Sequence, residues 1–281
     1  MFQIKWKTKW FLSKILSILN GKNILFFIQK KITRRSQINI KEILVYWKFH
    51  LKNINTFNLN NILEVGAGKS LEQNIYLNFA TDNQIRQIVI DVSNMLDFEL
   101  FNSASNQISK ILNIEKISRV KSVEEIKKNY NIDYIAPCNV EQLKKRNFIF
   151  DACISSNTFE HLPLEELRKT LTALKSILKK NGIISAVIDY SDHYCHTDNT
   201  IGPLNFLKYS NKDWKKYNTK YLFQNRLRHQ DYRRLFKEIG YKIVEEKKGT
   251  LGKSSSIISK DFEIDNKDTY ILWGMFTLKV L

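Results

Sequence analysis

Residues 62–68 read Ile-Leu-Glu-Val-Gly-Ala-Gly, a short apolar run that ends in two glycines one residue apart. No other stretch constrains the fold as much. An apolar run of this length reads as a strand buried on both faces. Glycines that follow it make a tight turn in which the backbone can approach a ligand closely. A second run, Gln87–Asp91 (QIVID), ends in an acid 23 residues after Gly68. A carboxylate at the end of a neighbouring strand can accept both hydroxyl hydrogens of a ribose. Dinucleotide fingerprints want a third glycine, but Lys69, Ser70 and Leu71 follow Gly68, so NAD and FAD are the weaker ligands.

Strand and helix then alternate. Apolar runs at Asn61–Val65, Gln87–Asp91, Phe148–Ser155 and Ile183–Asp189 read as strands, as do Tyr241–Glu246 and Thr269–Val280. Helices are expected at Leu71–Phe79, Ser105–Ile114, Val123–Asn129, Leu164–Lys180 and Asp231–Ile239. The clearest is 164–180, where Leu164, Leu167, Leu171, Leu174, Ile177 and Leu178 mark one face and Gly182 follows the end. Gly240 should cap the last helix. The final two strands are joined by a Gly/Ser-rich connection, GTLGKSSS, with no helix between them. The fold class is therefore α/β: a mostly parallel Rossmann-like sheet with an antiparallel edge strand, helices on both faces, and an N-terminal helical extension. Residues 1–58 form that extension and 59–281 the main domain, with an insertion at about 191–228.

The net charge of +17 is uneven. Residues 1–60 hold twelve Lys/Arg against one acid, Glu42, whereas residues 61–190 hold sixteen of each sign. A neutral core with a basic extension points to an anionic neighbour of the extension; the Lys-, Asn- and Ile-rich composition accounts for the charge equally well. Trp6, Trp10, Phe11, Ile15, Leu16 and Leu19 recur at near-helical spacing among lysines. Such a helix either packs on the domain, the favoured reading, or lies on an anionic membrane surface through residues 1–35. Lys14 and Lys22 interrupt the apolar stretch, so neither a span nor a signal peptide is expected. Cys138, Cys153 and Cys195 form no CxxC pair. A cytoplasmic protein, peripheral to the membrane if the extension binds lipid, is the expectation.

At several points, in the right order, the chain resembles class I S-adenosylmethionine-dependent methyltransferases. Glu64-Val-Gly66-Ala67-Gly68 is similar to the family's first motif, which cradles the methionine part of the cofactor. Asp91 matches the acid that holds the ribose. Ala136-Pro137-Cys138-Asn139 resembles the segment after the third strand, where Asn139 replaces the Asp that meets the adenine amino group. Phe150-Asp151 through Ser155, Ser156, Glu160, His161 and Leu162 resembles the fourth-strand signature FDxxxSxxxxEHL. Lys180-Asn181-Gly182 stands where the family has an LKPGG segment. The resemblance covers about residues 60–190 and implies S-adenosylmethionine as cofactor, held by Glu64, Gly66, Ala67, Gly68, Asp91, Asn139, Ser155 and Ser156. Asp192-His193, residues 205–210 and Asn225-Arg226-Leu227-Arg228 are similar to segments of a bacterial methyltransferase subgroup.

Methyl transfer from a sulfonium needs alignment and a route for the acceptor proton. Motifs of the Asn/Asp-Pro-Pro-aromatic kind are absent, so an oxygen acceptor is expected. His193, Asp192 and His161 are the candidate bases, since each follows a strand at the open end of the sheet. The alternatives stay open: Glu160-His161 as a helix cap, and Asp192-His193 as a turn. Arg226, Arg228 and Tyr209 are candidate substrate contacts, with salt bridges and subdomain packing as rivals. His193, Cys195 and His196 lack a second cluster, so no metal is expected. The reading is methylation of a hydroxyl or carboxyl on a small molecule or glycan precursor. An RNA methyltransferase is the first rival, disfavoured by the neutral core. A catalytically silent cofactor-binding or membrane-surface partner protein is the second.

Overall fold

The structure is a computed structural model that describes residues 3–21, 24, 40–115, 117–249, 251–252, 257–263 and 265–281. Most of the Gly/Ser connection and the second half of the basic 1–35 stretch lie outside the described residues.

Seven strands form one sheet. They are β1 (Asn61–Val65), β2 (Arg86–Ile90), β3 (Ile132–Ile135), β4 (Phe150–Ser156), β5 (Leu178–Asp189), β6 (Tyr241–Lys248) and β7 (Trp273–Val280). Their order is β3-β2-β1-β4-β5-β7-β6. The first five run parallel, and β7 is antiparallel to both β5 and β6. This is the expected α/β sheet with an antiparallel edge.

The apolar runs work because the inner strands β1, β2, β4 and β5 are covered on both faces. Leu63, Ile88, Ile90, Cys153, Ile184, Ala186 and Ile188 face one core. Their neighbours Ile62, Val89, Ala152, Ile154 and Ile183 face the other. The side-chain period of two thus divides continuous hydrophobic sequence between two layers.

Helices fill both layers. They are α1 (Trp6–Ile18), α2 (Ile40–Phe57), α3 (Glu72–Ala80), α4 (Phe98–Leu112), α5 (Val123–Tyr130), α6 (Val140–Lys144), α7 (Leu164–Ile177), α8 (Asn211–Trp214) and α9 (His229–Ile239). In α7, Leu167, Leu171 and Leu174 are fully buried, each contributing roughly 1.5–3 kcal/mol of apolar burial. Leu164, expected on that face, is exposed. The helix also stops earlier than the sequence suggests. Leu178 pairs with Phe150, and Lys179 bonds Asp151, so residues 178–180 belong to β5. Gly182 lies in that strand; a Cβ there would come within 2.8 Å of the Lys179 carbonyl oxygen. Helix α4 starts seven residues before the expected Ser105, because the Asp97 side chain accepts from the amides of Glu99 and Leu100. Gly240 caps α9 at φ +87°.

Helix α1 packs on the insertion. Trp6 is buried among Tyr194, Tyr209, Trp214 and Tyr217. Its amide donates to Asp198 Oδ2 at 2.8 Å, and the Trp10 indole donates to the Lys216 carbonyl at 2.9 Å. The favoured reading of the extension, a helix packed on the domain, is the arrangement present. The outer residues Phe11, Leu12, Ile15, Ile18 and Leu19 stay exposed. Among the described residues no helix is long and apolar enough to cross a membrane.

Candidate active site

The C-terminal ends of β1, β2, β3, β4 and β5 lie at one edge of the parallel part of the sheet. There the chain turns sharply after β1, with Gly66 at φ +89° and Gly68 at φ +70°. The two glycines serve different purposes. A Cβ on Gly66 would lie 2.1 Å from Oγ1 of Thr158, so the loop after β4 needs this residue bare. A Cβ on Gly68 would meet nothing within 4 Å. Gly68 therefore presents open backbone, and its demand is conformational.

Asp91 joins this turn. Its Oδ2 accepts from the Gly68 amide at 3.4 Å and its Oδ1 from the Ser93 amide at 2.9 Å. Its own carbonyl accepts from the Cys138 amide at 2.8 Å, which brings the β3 loop alongside. Asn139 comes next, exposed, and its side-chain oxygen accepts from the Gln142 amide at 2.9 Å as the cap of α6. Gly68, Asp91 and Asn139 thus line one rim, with open backbone at one end and an amide at the other. These residues fit an adenosyl ligand.

Glu64, Ser155 and Ser156 support the turn from below. Glu64 is buried, and its oxygens accept from Gln73 Nε2 at 2.9 Å and from Asn74 Nδ2. Burial pushes its carboxyl up to about 8, with Glu72 and Asp91 adding to the rise against the amide bonds. Ser155 Oγ donates to the Val65 carbonyl at 3.1 Å. Ser156 Oγ donates to Gln73 Oε1 at 2.7 Å and meets His50 Nε2 at 2.9 Å. His50 is fully buried on α2; its other nitrogen meets Ser185 Oγ at 2.8 Å, and burial lowers its pKa to about 3. Ala67 is half-buried against the core.

The loops after β4 and β5 meet beyond the turn. His161 sits on a 3₁₀ turn, Phe159–His161, and His193 follows the end of β5 by four residues. Their ring centroids are 4.9 Å apart. His161 Nδ1 lies 2.9 Å from the Phe223 carbonyl, so the hydrogen belongs on Nδ1 and the lone pair on Nε2. Burial and the adjacent His193 lower the His161 pKa. His193 Nε2 is 3.2 Å from Asp189 Oδ2. Both imidazoles line a small, partly open cavity shared with Lys9, Tyr194, Trp214 and Tyr221.

Residues 101–186 match a family model described as "Methyltransferase domain". Residues 101–186 thus carry a methyltransferase domain.

Solved structures similar to this methyltransferase domain include a proposed O-methyltransferase from Nostoc punctiforme (11% identity, 84% of this chain and 56% of that one, TM-score 0.47). The CurJ carbon methyltransferase is similar at 14% identity, over 79% of this chain and 48% of that one, with TM-score 0.44. The N-methyltransferase NodS from Bradyrhizobium japonicum, in complex with S-adenosyl-L-homocysteine, is similar at 14% identity, over 86% and 90%, with TM-score 0.44. The chain thus spans about half the length of the first two. No curated protein matches it.

The remaining expected site residues of the methyltransferase domain turn inward. Asp192 is fully buried; its oxygens accept from the Tyr194 amide at 2.9 Å and from Asn205 Nδ2 at 3.0 Å. That places it in the scaffold of the insertion, away from the His161–His193 cavity. Arg226 donates to the carbonyls of Phe206 and Tyr209, both at 2.8 Å, and to Asn211. Arg228, 1% exposed, donates to the carbonyls of Thr269, Tyr190 and Ile271 at 2.8, 2.7 and 2.6 Å. Arg226 thus braces the insertion internally and Arg228 ties it to the domain, which corrects the expected contact with an anionic acceptor. Tyr209 packs in the aromatic cluster with Trp6 and Trp214. Glu160 does not cap α7, whose N-cap is Pro163 without a side-chain bond. It is 2% exposed, and burial with Asp189 nearby pushes its carboxyl well above the usual range. Sequence reasoning had passed over Glu160, Asp189 and Lys9 as site residues. The Glu160-His161 pair was a visible signal; the arrival of Lys9 from α1 had none.

Proposed function

We propose that this domain transfers a methyl group to an oxygen, a hydroxyl or carboxyl, of a small molecule or glycan precursor. The observation that carries the reading is the place of Thr158. It packs on Gly66, and three residues later His161 faces the cavity with His193. A donor on the glycine turn and an acceptor in the cavity therefore meet over one short loop. The Gly66–Gly68 backbone, Asp91 and Asn139 would hold the cofactor. When bound, the cofactor supplies a sulfonium methyl whose sulfur the acceptor oxygen displaces in line.

The chain's own residues align the acceptor and deal with its proton. Tyr194, Trp214 and Tyr221 offer aromatic walls to a ring or sugar face. The group Glu160, His161 and His193 is the place where the acceptor hydroxyl gives up its hydrogen. Asn225 keeps that loop in position: its amide donates to the Glu160 carbonyl at 2.9 Å and its side chain to the carbonyls of Phe159 and Leu162 at 2.9 and 3.0 Å.

The test is formation of S-adenosylhomocysteine with a panel of hydroxyl and carboxyl acceptors. His161→Ala and His193→Ala should each lose turnover by about 10²-fold or more while cofactor affinity holds. Full turnover in both would remove the cluster from the reaction.

The exposed apolar face of α1 favours a second reading, in which the helix rests on an anionic membrane surface. Co-sedimentation with anionic vesicles, lost in the double variant Phe11→Ser, Ile18→Ser, would support it; equal sedimentation of both proteins would dismiss it.

A further inference from the structure

The least expected feature beside the two histidines is the Glu160 carboxyl. Both of its oxygens are buried, and neither has a hydrogen-bond partner. A carboxyl withdrawn from water without donors is costly, and proteins usually resolve that cost with a hydrogen bond or a cation. Among the described residues no side chain bonds the Glu160 carboxyl, but two imidazoles lie beside it. One ligand atom each from Glu160, His161 and His193 lies within 4.8 Å of the others.

We propose that Glu160, His161 and His193 bind a first-row divalent transition cation, and that this cation holds the acceptor oxygen. Its role in catalysis rests on the methyl-transfer reading; its binding does not.

Four features support the site. The donor set, two imidazoles and one carboxylate, is of the kind that holds catalytic zinc with a position left open, and imidazole favours transition cations over magnesium or calcium. His161 already has the orientation of a ligand. Its Nδ1 donates to the Phe223 carbonyl, which leaves Nε2 to face the metal, the usual outer arrangement of metal-binding histidines. Asp189 sits 3.2 Å from His193 Nε2 and brings a second carboxylate, so a dication would relieve the repulsion between it and Glu160. The donors are also carried by packed segments: Asn225 pins the Glu160 loop, and Thr158 locks it against Gly66. Ligands at about 2.1 Å from a tetrahedral ion lie about 3.4 Å apart, so side-chain rotation closes the site without moving the strands.

The cavity lined by the same two histidines supplies the open position. An acceptor hydroxyl coordinated there becomes more acidic and releases its proton to water at neutral pH, leaving an oxygen able to displace the sulfur. His161 and His193 then act as ligands and not as bases.

The experiment is titration calorimetry of the metal-stripped full chain with Zn²⁺, repeated with Co²⁺ while its visible absorption is recorded. One equivalent should bind. Glu160→Gln, His161→Ala and His193→Ala should each weaken binding at least tenfold, and Co²⁺ absorption should report fewer nitrogen ligands in the histidine variants. Cys195→Ser and His196→Ala should stay within twofold of wild type. S-adenosylmethionine affinity serves as the fold control for every variant. Absence of Zn²⁺ binding, or binding that survives Glu160→Gln and His161→Ala but fails in Cys195→Ser and His196→Ala, would overturn the proposal. Metal binding without cofactor binding would sink the methyl-transfer reading and leave the site. Cofactor binding and turnover in metal-free, chelator-treated protein would overturn the cation's role in holding the acceptor and leave the methyl-transfer reading.

Discussion

Thr158 stands so close to Gly66 that a Cβ on the glycine would lie 2.1 Å from Oγ1 and 2.5 Å from Cγ2 of the threonine. The cofactor turn and the acceptor loop are therefore one packed unit. Gly66→Ala combines a left-handed φ with that overlap and is expected to destabilise by about 2–4 kcal/mol. Gly68→Ala meets the strained φ alone and should lose only about 1–2 kcal/mol. Urea unfolding of the two variants checks the ranking; equal losses would mean that the Thr158 contact is unimportant.

Asp91 is the proposed anchor for the other end of the ligand. Removing a charged acceptor of hydrogen bonds costs about 1.5–3 kcal/mol. Asp91→Ala should therefore weaken S-adenosylmethionine roughly 10- to 150-fold by calorimetry. Unchanged affinity would break the ribose assignment.

Buried titratable groups set opposite pH limits on stability. His50 is held neutral down to about pH 3, whereas its unfolded value is 6.5. Its folded pKa is depressed, so its contribution is complete above pH 6.5 and falls away as the pH drops toward 3. Glu64 is raised from 4.5 to about 8. Its contribution is complete below pH 4.5 and is lost as the pH rises through 8. The steepest slope from either group is about 1.4 kcal/mol per pH unit. Denaturant unfolding across pH should show a shallower acid limb in His50→Gln and a shallower decline from pH 4.5 to 8 in Glu64→Gln. Parallel profiles in wild type and both variants would contradict this.

Arg228 is a clamp in the structure. Its three carbonyl acceptors come from the end of β5 and from the segment before β7. Arg228→Met leaves them without donors and should destabilise by about 3 kcal/mol or more. The Kd for cofactor in the folded variant should stay near wild type. A variant of native stability with a raised acceptor KM would return Arg228 to substrate binding.

Trp6 ties the extension to the insertion. Trp6→Ala removes a buried indole and should cost about 3–5 kcal/mol. Faster proteolysis should then appear within residues 191–228, because Tyr194, Trp214 and Tyr217 lose their shared neighbour. Cleavage elsewhere, with the insertion untouched, would show that the two segments are not coupled.

Local pattern made much of the fold legible. The expected inner strands lie where the apolar runs lie, because a strand covered on both faces must be apolar throughout. Strand β3 was not among the expected strands, and the strand expected from Thr269 begins at Trp273 after a 3₁₀ turn; two further boundaries were missed for physical reasons. Leu178 satisfies a helix face and a strand equally well, and pairing with Phe150 decides for the strand. Asp97 is an N-cap only because the chain before it turns back, its amide donating to the Lys69 carbonyl at 2.9 Å.

The site was less legible than the fold. A glycine that must stay bare and an acid after the next strand are local facts, and their spacing survives in the sequence. The environment of a charge does not. Arg226 and Arg228 read as exposed forks in an alternating segment, yet the insertion supplies the oxygens that Arg226 bonds, and the end of β5 and the segment before β7 supply the carbonyls that Arg228 bonds. Asp192 and His193 are neighbours in sequence, but one faces the insertion and the other the cavity. Glu160 meets His193 across 33 positions only because β4 and β5 are adjacent strands. The sequence by itself determined the alternating layers and the glycine turn, since these follow from short-range periodicity and backbone sterics. The tertiary structure decided which charges are buried, which are paired and which converge, because burial and proximity depend on segments far apart in the chain.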